Sequence, residues 1–87
     1  MFKVIISPEA WRFYDKLFYA DRGHFDRVMR AVISLREDPY QGKPLRRDLK
    51  GSYSLRVGMY RIIYTIERHI VTVCVVNIGH RKDVYFS

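Results

Sequence analysis

"YSLRVGMYRIIY", residues 53–64, reads as two strands folding back on each other. Tyr, Leu, Val and Ile recur at alternate positions on either side of a Gly, the period of a strand with one buried face. Gly58 and Met59 then make a two-residue turn, and Gly at its first central position suits type II′. That turn fixes the register. Val57 faces Tyr60, Leu55 faces Ile62 and Tyr53 faces Tyr64, all on one apolar, aromatic face that should pack on helices. The same register sets Arg56 directly opposite Arg61 on the other face. Like charges directly opposite are destabilising. Two facing arginines make a site for an anion, since the planar fork of arginine suits phosphate oxygens. The alternative is two solvated arginines splayed apart, each with its own carboxylate.

Beyond the hairpin, a second turn at Arg68–His69 sets Glu67 opposite Ile70 and opens a strand over 70–78. Continued without a break, this strand puts Ile63, Cys74, Val76 and Ile78 on the arginine face. Cys74, mid-strand among valines, reads as a small buried hydrophobe. The strand ends in "NIGHRKDVYFS", where Gly79 breaks the alternation. His80, Arg81, Lys82 and Tyr85 follow, either as a basic tail or as further groups of a site.

Before the hairpin lies "PYQGKPLRRDLKGS", residues 39–52, a basic connection punctuated by Gly and Pro, with a short strand around Leu45–Leu49. Its Arg46, Arg47 and Lys50 join Arg56 and Lys82 as candidate phosphate contacts. Two helices precede it. Ser7 suits an N-cap and Pro8 the first helical position. A helix over 8–19 lines up Trp11, Tyr14, Leu17 and Phe18 as core. "ADRG" breaks it, and a second helix over 22–37 carries Phe25, Val28, Met29, Val32 and Ile33 at 3–4 spacing. Pro39 disfavours helix at Asp38. With a strand at 2–6, the order is βαα followed by a β meander. The fold class is α+β, with a two-helix hairpin on one face of an antiparallel sheet, in a single domain over 1–87.

Sixteen Lys and Arg against nine Asp and Glu give a net charge of +7. Such an excess favours a polyanionic partner. The one cysteine rules out an internal disulfide and fits a reducing, cytoplasmic compartment. The opening residues lack the pattern of a signal peptide. "IVTVCVVNI" is far shorter than the roughly 20 residues of a spanning helix, so no membrane partner is expected. No Gly-rich phosphate loop, HExxH or paired-cysteine pattern is present, and His24, His69 and His80 are scattered, so neither metal nor cofactor is expected.

RNA can be cleaved without metal if its 2′-hydroxyl attacks the adjacent phosphate. A base must take the 2′-OH proton, cations must stabilise the pentavalent phosphorane, and an acid must protonate the 5′-leaving oxygen. Arginines suit the second task, and Tyr85 and His80 are candidate proton carriers.

The opening strand, the helical hairpin, "DPYQGKPLRRDLKG", "YSLRVGMYRIIY" and "NIGHRKDVY" together resemble the RelE/ParE superfamily of small toxins from toxin–antitoxin pairs. The resemblance covers nearly the whole chain. It implies two helices on an antiparallel sheet and a cognate antitoxin that wraps the toxin, here with an acidic toxin-binding segment to match the charge. RelE-type members cleave mRNA in the ribosomal A site without metal, using basic residues of the central strands with an Arg and a Tyr near the C-terminus. Matched by motif, these are Arg56, Arg61, Arg81 and Tyr85. RelE-type enzymes of the best-known kind carry another basic residue two positions before the one at Arg56; this chain has Ser54 there. His80 is a candidate to compensate, since some relatives use a His in this region. ParE-type members share the fold, lack the ribonuclease set and poison DNA gyrase, and that alternative stands beside the first.

Overall fold

The computed structural model describes residues 1–46, 51–73 and 78–80, with the backbone alone for 71–73 and 78–80. The elements are β1 (Lys3–Ile6), α1 (Pro8–Ala20), α2 (Arg22–Ser34), a 3₁₀ turn (Pro39–Gln41), β2 (Lys43–Pro44), β3 (Ser52–Val57), β4 (Tyr60–Glu67), β5 (Ile70–Val73) and β6 (Ile78–His80).

The helices start where the sequence places them. Ser7 caps α1 by accepting from the Ala10 N–H at 3.2 Å, with Pro8 in the first turn. Asp21 serves both helices. Its N–H closes α1 on the Leu17 carbonyl, and its carboxylate caps α2 by accepting from the His24 N–H at 3.1 Å. The same carboxylate meets His24 Nδ1 at 2.5 Å. The His24 backbone bond, then the His24 side chain, hold the Asp21 carboxyl below its ordinary 3.8. A carboxyl lowered on folding adds stability that is complete above its unfolded value and is lost as pH falls through the folded one. Asp21→Asn keeps a capping side chain but removes the charge. Urea midpoints of the two proteins should therefore differ at neutral pH and converge in acid below about pH 4. A difference independent of pH would show that the charge of Asp21 contributes nothing.

The second helix ends at Ser34, three residues short of the expected 37. Ser34 Oγ donates to the Ala31 carbonyl at 2.6 Å, and the Leu35 and Arg36 N–H groups reach only three residues back. A hydroxyl that bonds its own preceding turn competes with the helix ladder. The chain tightens into turns before Pro39, where helix is already disfavoured.

Ala10, Tyr14 and Leu17 of α1 meet Val28 and Val32 of α2, Leu35, and Ile62 and Tyr64 of β4 in the core. Tyr53, Leu55, Val57 and Tyr60 are partly buried against them, so the apolar hairpin face packs on the helices as expected. Each fully buried Val or Ile contributes about 1.5–3 kcal/mol. The helical stripes are narrower than their spacing suggested. Trp11 stays 49% exposed, edge-on to Tyr14, and Ile33 is 55% exposed. Neither is core.

The sheet runs β1-β5-β4-β3-β2, with β6 also on β4. The β3–β4 register is the expected one at every pair, from Tyr53 opposite Tyr64 to Val57 opposite Tyr60. Gly58 has φ +59 and Met59 does not share the positive region, as a type II′ turn requires. Glu67 pairs with Ile70 across the second turn. The first strand lies parallel to β5, Lys3 opposite Ile70, so the sheet is mixed where it takes up the N-terminal segment.

Two strand assignments change. Of the expected strand at Leu45–Leu49, the described Leu45 and Arg46 are not in a strand, although the Leu45 N–H reaches the Ser52 carbonyl at 2.9 Å; an unexpected strand, β2, lies just before them at Lys43–Pro44. Residues 47–50 lie outside the described ones. Pro44 has no N–H to give, which an edge strand tolerates. The expected strand over 70–78 is two strands in different registers. Extended from Glu67–Ile70, one ladder would set Ile78 opposite Met59; it stands opposite Ile62, three positions further along β4. An odd shift exchanges the faces. Ile78 therefore takes a core-side register position, not one on the arginine face. Cys74 and Val76 lie outside the described residues. Among the described residues, no helix is long and apolar enough to cross a membrane.

Candidate functional site

The hairpin face turned away from the helices carries Ser54, Arg56, Arg61 and Ile63. Arg56 stands directly opposite Arg61. The two are nevertheless unlike. Arg61 is buried, 9% exposed, whereas Arg56 is exposed. Arg61 reaches the diagonal neighbour on β3, and its Nη1 donates to Ser54 Oγ at 3.1 Å. A buried guanidinium needs acceptors, and Ser54 supplies one without adding a like charge. Arg56 makes no ion pair with a carboxylate among the described residues.

The register of β6 adds one feature to this face and takes another off it. Gly79 stands opposite Arg61 on the β6 side, so the strand next to Arg61 offers no side chain at that position. His80 stands opposite Tyr60, one step out of phase with the arginine pair. On the other side of β3, Lys43 stands opposite Ser54 and is exposed. Sequence reasoning missed Lys43 because it treated residues 39–44 as connection. The available signal was Pro44 two residues after a Gly, a pattern suited to a short edge strand.

The chain leading to Lys43 is fixed from beneath. Tyr64, buried on the core side, donates its hydroxyl to the Pro39 carbonyl at 2.7 Å and accepts from the Gly42 N–H at 3.1 Å. Burial is the main cause that raises the Tyr64 hydroxyl above the ordinary range, so it remains a phenol and keeps both roles. Its ring stacks on Tyr53, 5.6 Å between centroids.

Of the candidate residues, the structure brings Arg56 and Arg61 together and leaves Arg46 exposed in the segment after β2. Arg47, Lys50, Arg81, Lys82 and Tyr85 lie outside the described residues. Among those described, no group of three or more His, Cys, Asp or Glu is arranged to hold a metal ion.

Comparison with known proteins places this geometry. A family model described as the ParE toxin of the type II toxin–antitoxin system parDE matches residues 4–85. The toxin RelG of Mycobacterium tuberculosis is 40% identical over 65 residues, 68% of this chain and 75% of that one. The toxin RelE of the same organism is 43% identical over 44 residues, 51% of this chain and 45% of that one. The crystal structure of the RelBE2 toxin–antitoxin complex from M. tuberculosis matches with TM-score 0.77 and 31% identity, over 92% of this chain and 98% of that one. A YoeB/ParE toxin from Agrobacterium tumefaciens shares the fold, with TM-score 0.75 at 17% identity over 90% and 97% of the two chains. A chain matched by the family model from β1 onward, with relatives named RelG and RelE and the same two-helix, mixed-sheet fold, belongs to the RelE/ParE superfamily of toxins from toxin–antitoxin systems.

Proposed function

We propose that this toxin is a metal-independent endoribonuclease that cleaves mRNA on the ribosome and so inhibits translation in the cytoplasm. The observation that carries the reading is the unequal arginine pair. Arg61 is held by Ser54 in a buried position, and Arg56 stands exposed opposite it. A fixed inner cation and an exposed outer one suit a phosphate whose charge grows during reaction. The similarity to toxins named RelG and RelE supports the same reading.

In this mechanism the 2′-hydroxyl attacks the neighbouring phosphorus and the bond to the 5′-oxygen breaks, leaving a 2′,3′-cyclic phosphate and a free 5′-hydroxyl. Arg61 and Arg56 stabilise the phosphorane, and Arg81 completes the cationic set. Tyr85 moves a proton to or from the reacting oxygens, eased by arginines that stabilise its phenolate. His80, one step out of phase with the arginine pair opposite Tyr60, is the less suited candidate for that transfer. Arg46, Arg47, Lys50 and Lys82 contact the RNA backbone. The partner in the resting state is an antitoxin whose acidic segment meets the +7 toxin on the arginine face. Its support is the likeness to a solved toxin–antitoxin complex.

The match to a ParE model favours a second reading, a gyrase poison on the same fold. Primer extension on mRNA after induction, run beside a gyrase supercoiling assay with purified toxin, separates the two. The expected result is new 5′ ends within translated messages and unaffected gyrase. Intact messages with inhibited supercoiling would replace the first reading by the second.

A further inference from the structure

We propose that Lys43 is a further phosphate-binding cation of the arginine face, acting beside Arg56 from the neighbouring strand. The inference rests on the ribonuclease reading above and extends its site by one residue. Lys43 and Ser54 are direct cross-strand partners, so they share a face, and Arg56 lies two positions along β3 on that same face. Direct partners have Cβ atoms about 5 Å apart and diagonal neighbours stand about 7–8 Å apart. Lys43, Arg56 and Arg61 thus converge around one small side chain.

Ser54 is itself buried, and its hydroxyl is already engaged by Arg61 Nη1. Lys43 is exposed and, like Arg56, forms no ion pair with a carboxylate among the described residues. Three cations on two adjacent rows repel one another, and a phosphate bridging the outer two relieves that repulsion. Lysine suits the outer place because its ammonium is a point charge on a flexible stem that can follow a moving backbone. The base of that stem is held, since Gly42, next in the chain, is bonded to buried Tyr64. At a sequence position where a cation is missing, at Ser54, the neighbouring strand supplies one across the ladder.

An edge-strand lysine has another use, which is to keep the edge from pairing with a second sheet. Four proteins separate the two roles: wild type, Lys43→Gln, Lys43→Arg and Arg61→Ala. Each is assayed for ribosome-dependent mRNA cleavage, for binding of a short single-stranded RNA across a salt series, and for melting temperature. Lys43→Gln should melt with the wild type and lose about tenfold in kcat/KM, the scale of one charge-assisted hydrogen bond. Its slope of log affinity against log salt should shrink by about 0.7, the share of one phosphate contact on a single strand. Lys43→Arg should recover most of both. Wild-type cleavage and an unchanged slope in Lys43→Gln would overturn the assignment. A lower melting temperature with an unchanged slope would likewise overturn it and return Lys43 to guarding the edge. If wild type and Arg61→Ala are equally inert toward mRNA, the ribonuclease reading fails. The salt slope then decides for or against Lys43 without it.

Discussion

Arg61→Ala should cleave mRNA about 10²–10³-fold more slowly than the wild type, the loss seen when one preorganised donor to a developing negative charge is removed. The expectation is large because Arg61 is already in place before substrate arrives. It is 9% exposed and tied to Ser54 Oγ, so little reorganisation accompanies the reaction. Arg61→Lys keeps the charge but loses the planar fork that holds Ser54 and phosphate together, and should fall between the two. Single-turnover cleavage, with circular dichroism to establish that each variant folds, measures the effect. A folded Arg61→Ala protein that cleaves like the wild type would take Arg61 out of the catalytic set.

Gly42→Ala should be the most damaging single methyl added among the described glycines. Its Cβ would lie 2.5 Å from Tyr64 Oη and 3.0 Å from the Ser54 carbonyl oxygen. Neither neighbour yields easily, because Tyr64 is fully buried and the second atom belongs to the backbone of β3. The conformation at Gly42 is ordinary extended backbone, so the conflict is one of space alone. Overpacking of this kind costs about 1–3 kcal/mol, set against a gain below about 1 kcal/mol from stiffening the unfolded chain. The melting temperature should drop by roughly 5–10 °C for a domain of this size. Thermal melts followed by near-ultraviolet circular dichroism, which sees Tyr64 and Tyr53, would register it. An unchanged melt would mean that β2 moves freely off β3, and the rigid seat assigned to Lys43 would go with it.

The hairpin was the most legible part of the chain, for a physical reason. Gly58 admits one tight turn, and strict alternation on both sides leaves one register, so the Arg56–Arg61 pairing followed from counting. The end of α2 was not legible. Ser34 spends its hydroxyl on Ala31, a choice that apolar spacing does not encode. The change of register between β5 and β6 was hidden for a different reason. "IVTVCVVNI" is apolar at consecutive positions, so it carries no alternation from which a face could be read. The unequal burial of the two arginines depends on what packs over each, and β2 was missed because a two-residue strand leaves no periodic trace. Lys43 was lost with it. At the candidate site, then, the central pair was in the sequence, while its depth and its third cation were in the tertiary structure.

Lys3 and Ile70 face each other across parallel strands, with both helices and the whole β3–β4 hairpin between them in the chain. Bringing them together closes a long loop, and the entropy of that closure opposes the contact until the rest of the sheet exists to receive it. The turn at Gly58 and Met59 closes almost no loop at all. The order of assembly follows. The hairpin can form early and locally, and β1 must wait for β5, although synthesis makes β1 first. During that interval a strand with Val4 and Ile6 destined for the core has no partner. Pulse-labelled amide exchange during refolding should find β4 protected before β1, and the reverse order would refute this sequence of events. A newborn chain is thus exposed to aggregation and proteolysis chiefly through its first strand, for as long as its fifth is missing.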